Sequence, residues 1–303
     1  MLSFILLTLS CFLVAFTSGI SGQSCPNPED ISPCTCDFSE FDGTISADCS
    51  SASTSEIFST FNEVAWFPEL RQFSVQINEK VTELPEGVLG DVSIQHILLE
   101  SVWNLSTIHP EVVLQSKDRL QQIQVHDVPV EDFPWEVLSQ LTSLLFFDFT
   151  GSGNPISELP PGLFEGLENL VIFLCSECDL GPTLPSGSLE FQSQNFQYVG
   201  LSSNGITMVE PGAITGLAAD TVLDLENNLI SELAEETFRP ILEVLSRGTG
   251  FIFIYGNPIQ CDCSMAWLVL NQEFLGSILG GVCEDGTAFE NLDPSTFLEC
   301  AIM

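Results

Sequence analysis

The chain has 303 residues, with 42 Asp or Glu against 6 Lys or Arg, for a formal net charge of −36. So acidic a chain is a poor partner for nucleic acid or an anionic membrane surface. At 45% hydrophobic residues it is too apolar to stay disordered despite its charge. The acid excess reads first as solubility. A basic partner or loosely held Ca²⁺ is the other reading, although no D-x-[DN]-x-[DN]-G loop is present.

The N-terminus runs MLSFILLTLSCFLVAFTSGISG. Residues 4–16 are almost unbroken apolar, and the small residues Ser18, Gly19, Ser21 and Gly22 follow. This pattern predicts a secretory leader over residues 1–22. The apolar run is shorter than the roughly 20 residues that span a bilayer. No later run reaches that length, and no lipid-anchor tail follows Cys300, so no membrane anchor is expected. Cys11 would leave with the leader. Ten of the 11 cysteines then remain, an even set that invites disulfides in an oxidising, extracellular compartment.

The next stretch, 23–69, is cysteine-rich. Cys25, Cys34, Cys36 and Cys49 follow the spacing C-x8-C-x-C-x12-C. From residue 70 to 259 a period appears. LPEGVL from Leu84, IHPEVV from Ile108, FPWEVL from Phe133 and LPPGLF from Leu159 share one pattern. LPSGSL from Leu184, VEPGAI from Val209 and LAEETF from Leu233 continue it, at intervals of 24, 25, 26, 25, 25 and 24 residues. A second phrase lies between the copies, an apolar residue on alternate positions and then Asn. Its clearest copies are VGLSSNGI and LDLENNLI, carrying Asn204 and Asn228. Asn78 and Asn257 take the same place, whereas Val102 and Val128 cannot hydrogen-bond there and an insertion displaces Asn154. Less regular turns are therefore expected around residues 100–156.

These phrases resemble the leucine-rich-repeat family, LxxLxLxxNxL. The resemblance implies an α/β solenoid, a horseshoe of about eight repeats with a parallel concave sheet. One repeat cannot bury its apolar edge alone; stacked repeats form a continuous core. Within LENLVIFLCSECDL, Cys175 takes an inward position and Cys178 the Asn position. Both are expected to be buried, inert thiols, with a local disulfide as the alternative and zinc or redox chemistry unsupported by any second pair nearby.

The last segment, 260–303, holds Cys261, Cys263, Cys283 and Cys300, beginning in GNPIQCDCSMAWL. Sequence alone leaves three connectivities open for each set of four cysteines. Both ends resemble the cysteine-rich flanks of extracellular leucine-rich-repeat proteins. That resemblance implies Cys25–Cys36 and Cys34–Cys49 at one end and Cys261–Cys283 and Cys263–Cys300 at the other. It also places Trp267 on a short helix over the last repeat.

No catalytic or metal site is expected, and no cofactor. G-x-S-x-G and H-E-x-x-H are absent, and the three histidines, His96, His109 and His126, fall in different repeat positions. Asn104-Leu105-Ser106 is the N-glycosylation sequon.

Outward residues of successive strands should align in columns. One column reads Gln72, His96, Gln122, Phe146, Ile172, Tyr198, Val222, Phe251 and is apolar from the fourth repeat onward. Leu174, Phe253 and Tyr255 extend it. These eight, Phe146 through Tyr255, form the expected partner-binding patch, since exposed apolar patches of this size mark interaction surfaces. Over its length the chain, with its SPCTCD start and YGNPIQCDCSMAWLV end, is similar to the secreted arthropod leucine-rich-repeat proteins that include the non-catalytic subunit of oplophorus-luciferin 2-monooxygenase. The resemblance implies an accessory protein that accompanies or stabilises another protein. The alternative is an extracellular recognition protein of innate defence that binds microbial surfaces. An enzyme finds no constellation to support it.

Overall fold

The computed structural model describes residues 24–151, 156 and 158–300; the expected leader, Asn154 and Cys11 lie outside them. Eleven strands form one sheet. Eight of them come one per repeat: Glu69–Asn78, Ser93–Val102, Gln122–His126, Phe146–Asp148, Ile172–Leu174, Tyr198–Gly200, Val222–Asp224 and Phe251–Phe253. Every neighbouring pair among these eight is parallel. At the N-terminal end the antiparallel hairpin Thr35–Ser39 and Thr44–Asp48 adds two strands, and at the C-terminal end Ile278–Leu279 adds one.

The alternation of the short strands explains the core. Phe73, Ile97, Ile123, Phe147, Phe173, Val199, Leu223 and Ile252 point inward and are buried in one continuous cluster. Aromatic rings run through its middle, with Phe147 and Phe173 centroids 5.8 Å apart, Phe164 and Phe173 4.9 Å, and Phe191 and Phe196 4.0 Å. Such ring pairs add to the area they remove from water.

The other repeated phrase builds the convex side, and its fourth residue decides the local structure. Gly87, Gly162, Gly187 and Gly212 adopt φ between 72° and 80°, the left-handed region that glycine enters freely. Where Glu stands instead, a helical turn forms: Glu111–Leu114, Trp135–Gln140 and Glu235–Leu245.

At the end of seven of the eight concave strands the chain turns through one left-handed residue: Ile77, Ser101, Asp127, Glu177, Ser203, Asn227 and Gly256. The next position is the corner. Asn204 there donates from Nδ2 to the Leu201 and Cys175 carbonyls (3.0 and 2.7 Å) and accepts from the backbone of Cys178 and Leu180. Asn228 does the same one repeat on, and Asn257 likewise. Asn78 instead donates to the Ser50 and Ala52 carbonyls of the N-terminal flank and accepts from the backbone of Lys80 and Val81. Buried amides between repeats are thereby satisfied.

Two expectations are corrected here. Irregular turns do not appear at Val102 and Val128: both are buried, and Ser101 and Asp127 keep the left-handed corner. The backbone carries it, since Trp103 N–H donates to the Asn78 carbonyl and Asp127 N–H to that of Thr150. Cys175 and Cys178 are not free thiols but a disulfide, with Cα atoms 5.5 Å apart. The left-handed Glu177 between them folds the chain back, and this Cα separation suits a bridge. The strand before it stays in register with both neighbours, so the bridge leaves the strand undistorted.

The flanks close the stack. Disulfides join Cys25 to Cys36, Cys34 to Cys49, Cys261 to Cys283 and Cys263 to Cys300, as the family resemblance implied. Bridges of such loop length each contribute roughly 2–4 kcal/mol. The helix Thr54–Glu63 starts with a Ser53–Glu56 capping box and buries Ile57 and Phe61 against the first repeat. At the far end Trp267, on the helix Ala266–Val269, donates from Nε1 to the Leu233 carbonyl at 3.1 Å.

Candidate functional site

The strand register brings the outward residues side by side. Gln72, His96, Gln122, Phe146, Ile172, Tyr198, Val222 and Phe251 form one unbroken row across the concave sheet. Ser74, Leu98, Gln124, Asp148, Leu174, Gly200, Asp224 and Phe253 form the next. The first row is the column read from the sequence.

The apolar half of this surface is not flat. Phe146, Ile172, Leu174, Tyr198 and Val222 line a hollow of about 820 Å³. His126, Asp148, Thr150 and Ser176 border it where the strands end, and Gln197 and Asp220 where they begin. Gly200 lets two of these lining side chains close in. A Cβ at that position would lie 2.8 Å from Leu174 Cδ2 and 3.3 Å from Tyr198 Cε1. With no side chain at Gly200, its neighbours Leu174 and Tyr198 lean over it.

Two cross-repeat pairs fix the polar margins. His126 Nε2 lies 2.5 Å from Asp148 Oδ2, and Asp148 Oδ1 accepts the Thr150 backbone N–H. The hydrogen bond to Asp148 raises the imidazole pKa above its usual 6.5, against the opposing effect of burial; the charges of Asp148, Glu100 and Asp127 add to the rise. Across the hollow, Tyr198 donates its hydroxyl to Asp224 Oδ2 at 3.0 Å. Burial and the neighbouring carboxylates of Asp224 and Glu226 push this phenol up to about 12, so it remains a donor. His96, elsewhere on the same sheet, is shifted downward by burial and by Arg71 and Arg119.

The remaining expected patch residues stand apart from the hollow. Phe251 and Phe253 pack ring to ring at 4.8 Å one strand further on. Tyr255, 57% exposed, lines a separate cleft with Leu275, Leu279 and Phe289 of the C-terminal flank. Gln197, Asp220 and Gly200 contribute to the site without having been singled out from sequence. Gln197 and Asp220 precede the strands and so fall outside the columns, and a glycine contributes by what it lacks. The sequon residue Asn104 is exposed at the edge of the stack, where its Nδ2 donates to the Glu79 carbonyl at 2.7 Å. Among the described residues no group of three or more His, Cys, Asp or Glu is arranged to hold a metal ion, and no helix is long and apolar enough to cross a membrane.

A curved parallel sheet, one strand per repeat, closed at both ends by paired disulfides, defines a leucine-rich-repeat solenoid with cysteine-rich flanks. Among known proteins, the chain is 27% identical over 320 residues to the oplophorus-luciferin 2-monooxygenase non-catalytic subunit of Oplophorus gracilirostris. That alignment covers 90% of this chain and 87% of the relative. The structure of human 5T4 (Wnt-activated inhibitory factor 1, trophoblast glycoprotein) is similar in fold, with a TM-score of 0.62 at 18% identity. It covers 91% of this chain and 98% of 5T4. TLR13 in its complex with ssRNA13 reaches a TM-score of 0.43 at 14% identity, over 76% of this chain and 40% of TLR13. No family model matches the sequence.

Proposed function

We propose that this protein is a secreted, non-catalytic accessory protein of the arthropod leucine-rich-repeat type, which binds and stabilises a partner protein through its concave face. The observation that carries this reading is the hollow lined by Phe146, Ile172, Leu174, Tyr198 and Val222. It is apolar and concave, and it lies on rigid, register-locked strands. Similarity over most of the chain to a protein named as a non-catalytic subunit supports the accessory role. Five disulfides among the described residues support an oxidising, extracellular setting. Asn104 is proposed to carry an N-glycan, which removal by a glycosidase specific for N-linked glycans would reveal as a mass loss.

The test is a pull-down from the secreted fluid that contains the protein. Wild type is compared with the Phe146→Asp/Tyr198→Asp double variant, and circular dichroism confirms that both are folded. The reading expects a partner retained by wild type and lost by the variant. Equal retention would place the interface elsewhere.

A further inference from the structure

The hollow's chemistry is mixed in a way that selects its occupant. Its floor is apolar, yet its margins carry Asp148 and Asp220, and the Asp224 carboxylate lies 3.0 Å from the Tyr198 hydroxyl. No Lys or Arg lines it. The chain has 6 such residues in all, and Arg71, Arg119 and Arg239 are already paired to Asp42, Glu69 and Glu235. Among the lining residues only His126 offsets the negative charge of this margin. A second copy of the chain, at −36, would be repelled from it.

We propose that the hollow docks a basic amphipathic segment of the partner protein, its apolar side chains on Ile172, Leu174 and Val222 and its Lys or Arg residues against the exposed Asp220 margin, Asp148 being buried and held by His126. The inference rests on the concave-face reading above and adds the chemistry of the partner. The dimensions agree. Four strands, Phe146 to Val222, extend about 14 Å at 4.8 Å spacing, and a helix with its side chains is about 10–12 Å across. Apolar contact supplies affinity, and charge supplies encounter rate and selection against acidic segments.

The experiment uses fluorescein-labelled model peptides of about 14 residues and the intact protein, read by anisotropy. One peptide has leucine and lysine at helical spacing, a second replaces lysine with glutamate, and a third scrambles the first. The Ile172→Gln/Val222→Gln variant removes apolar floor without altering charge. Gly200→Leu crowds Leu174 and Tyr198 and serves as an independent charge-neutral variant if the double variant does not fold. The expected result is saturable 1:1 binding of the leucine–lysine helix, weakened at least tenfold by either variant and by scrambling, with no binding of the glutamate peptide. Equal binding to wild type and variants would show diffuse attraction to the acidic chain and overturn the proposal. So would binding of the glutamate peptide, or binding of neither. If the partner pull-down still depends on Phe146 and Tyr198 in that case, the concave docking face stands and only the partner's chemistry falls.

Discussion

Cys178 is bonded to Cys175, three residues back, and one repeat later Asn204 hydrogen-bonds the carbonyl of Leu201, also three residues back, at 3.0 Å. The disulfide makes covalently the closure that asparagine makes by hydrogen bond. Asn228 to Leu225 and Asn257 to Ile254 repeat the same step. The amides around the bridge are served from the neighbouring repeat, since Asn204 Oδ1 accepts from Cys178 and Leu180 N–H.

This equivalence predicts how the corner tolerates change. Alkylation of the unreduced protein in denaturant should label none of the ten cysteines among the described residues, whereas a free Cys175/Cys178 pair would give two adducts. Cys175→Ala/Cys178→Ala should cost about 2 kcal/mol or more for the lost short-loop cross-link and the space it leaves. Cys175→Leu/Cys178→Asn, which restores the repeat's usual residues, should recover at least half of that loss in a urea titration.

Asn228 is a fully engaged corner side chain, donating to Leu201 and Leu225 and accepting from Asn204 and Ile206 while buried. Asn228→Ala strands several buried backbone groups, each worth about 1–3 kcal/mol when left unpaired. The variant should lose about 3 kcal/mol or more, seen as a lower urea midpoint. A loss within 0.5 kcal/mol, the ordinary scatter of surface changes, would mean that water replaces the amide at no cost.

Ile77 turns the first corner at φ 51° while 72% exposed. A β-branched residue there is strained, and so exposed a side chain contributes little packing. Ile77→Asn should stabilise the protein by about 1 kcal/mol, raising the thermal midpoint. Ser101→Val, the reverse change one repeat on at φ 52°, should destabilise it.

The His126–Asp148 pair makes stability pH-dependent in a defined sense. The folded-state imidazole pKa is raised above 6.5. Its stabilisation is therefore fully present below pH 6.5 and lost as pH rises through the higher folded value. Urea midpoints of wild type and His126→Gln should differ near pH 6 and converge as pH rises through the folded imidazole value. A difference that grows with pH would contradict this sign. Because His126 borders the hollow, the same titration should alter partner affinity, and Asp148→Asn should remove both effects.

Much of the fold was legible because two periods coincide in the sequence. The 24–26-residue repeat set the stacking, and alternation within each strand set which residues face out, so Phe146, Ile172, Tyr198 and Val222 could be aligned before their register was seen. The Cys175–Cys178 bond was not legible, since Cys at the corner position suits burial as a thiol as well as bonding. Val102 and Val128 misled because the corner is held by left-handed backbone as much as by asparagine. His126 and Asp148 belong to different columns, and columns alone do not reveal a diagonal contact between repeats. The hollow's extent was not legible either: Phe251, Phe253 and Tyr255 continue the apolar column yet lie outside its lining.

Hydroxyl-radical footprinting of the protein alone and with its captured partner reads the concave face directly, without substitution. Side-chain oxidation of Phe146, Ile172, Leu174 and Tyr198 should fall at least severalfold on complex formation, while the exposed Phe41, Trp103 and Leu298 stay unchanged. Protection confined to those peripheral residues, with Phe146 and Tyr198 oxidised as fast as before, would mean that the partner does not occupy the hollow.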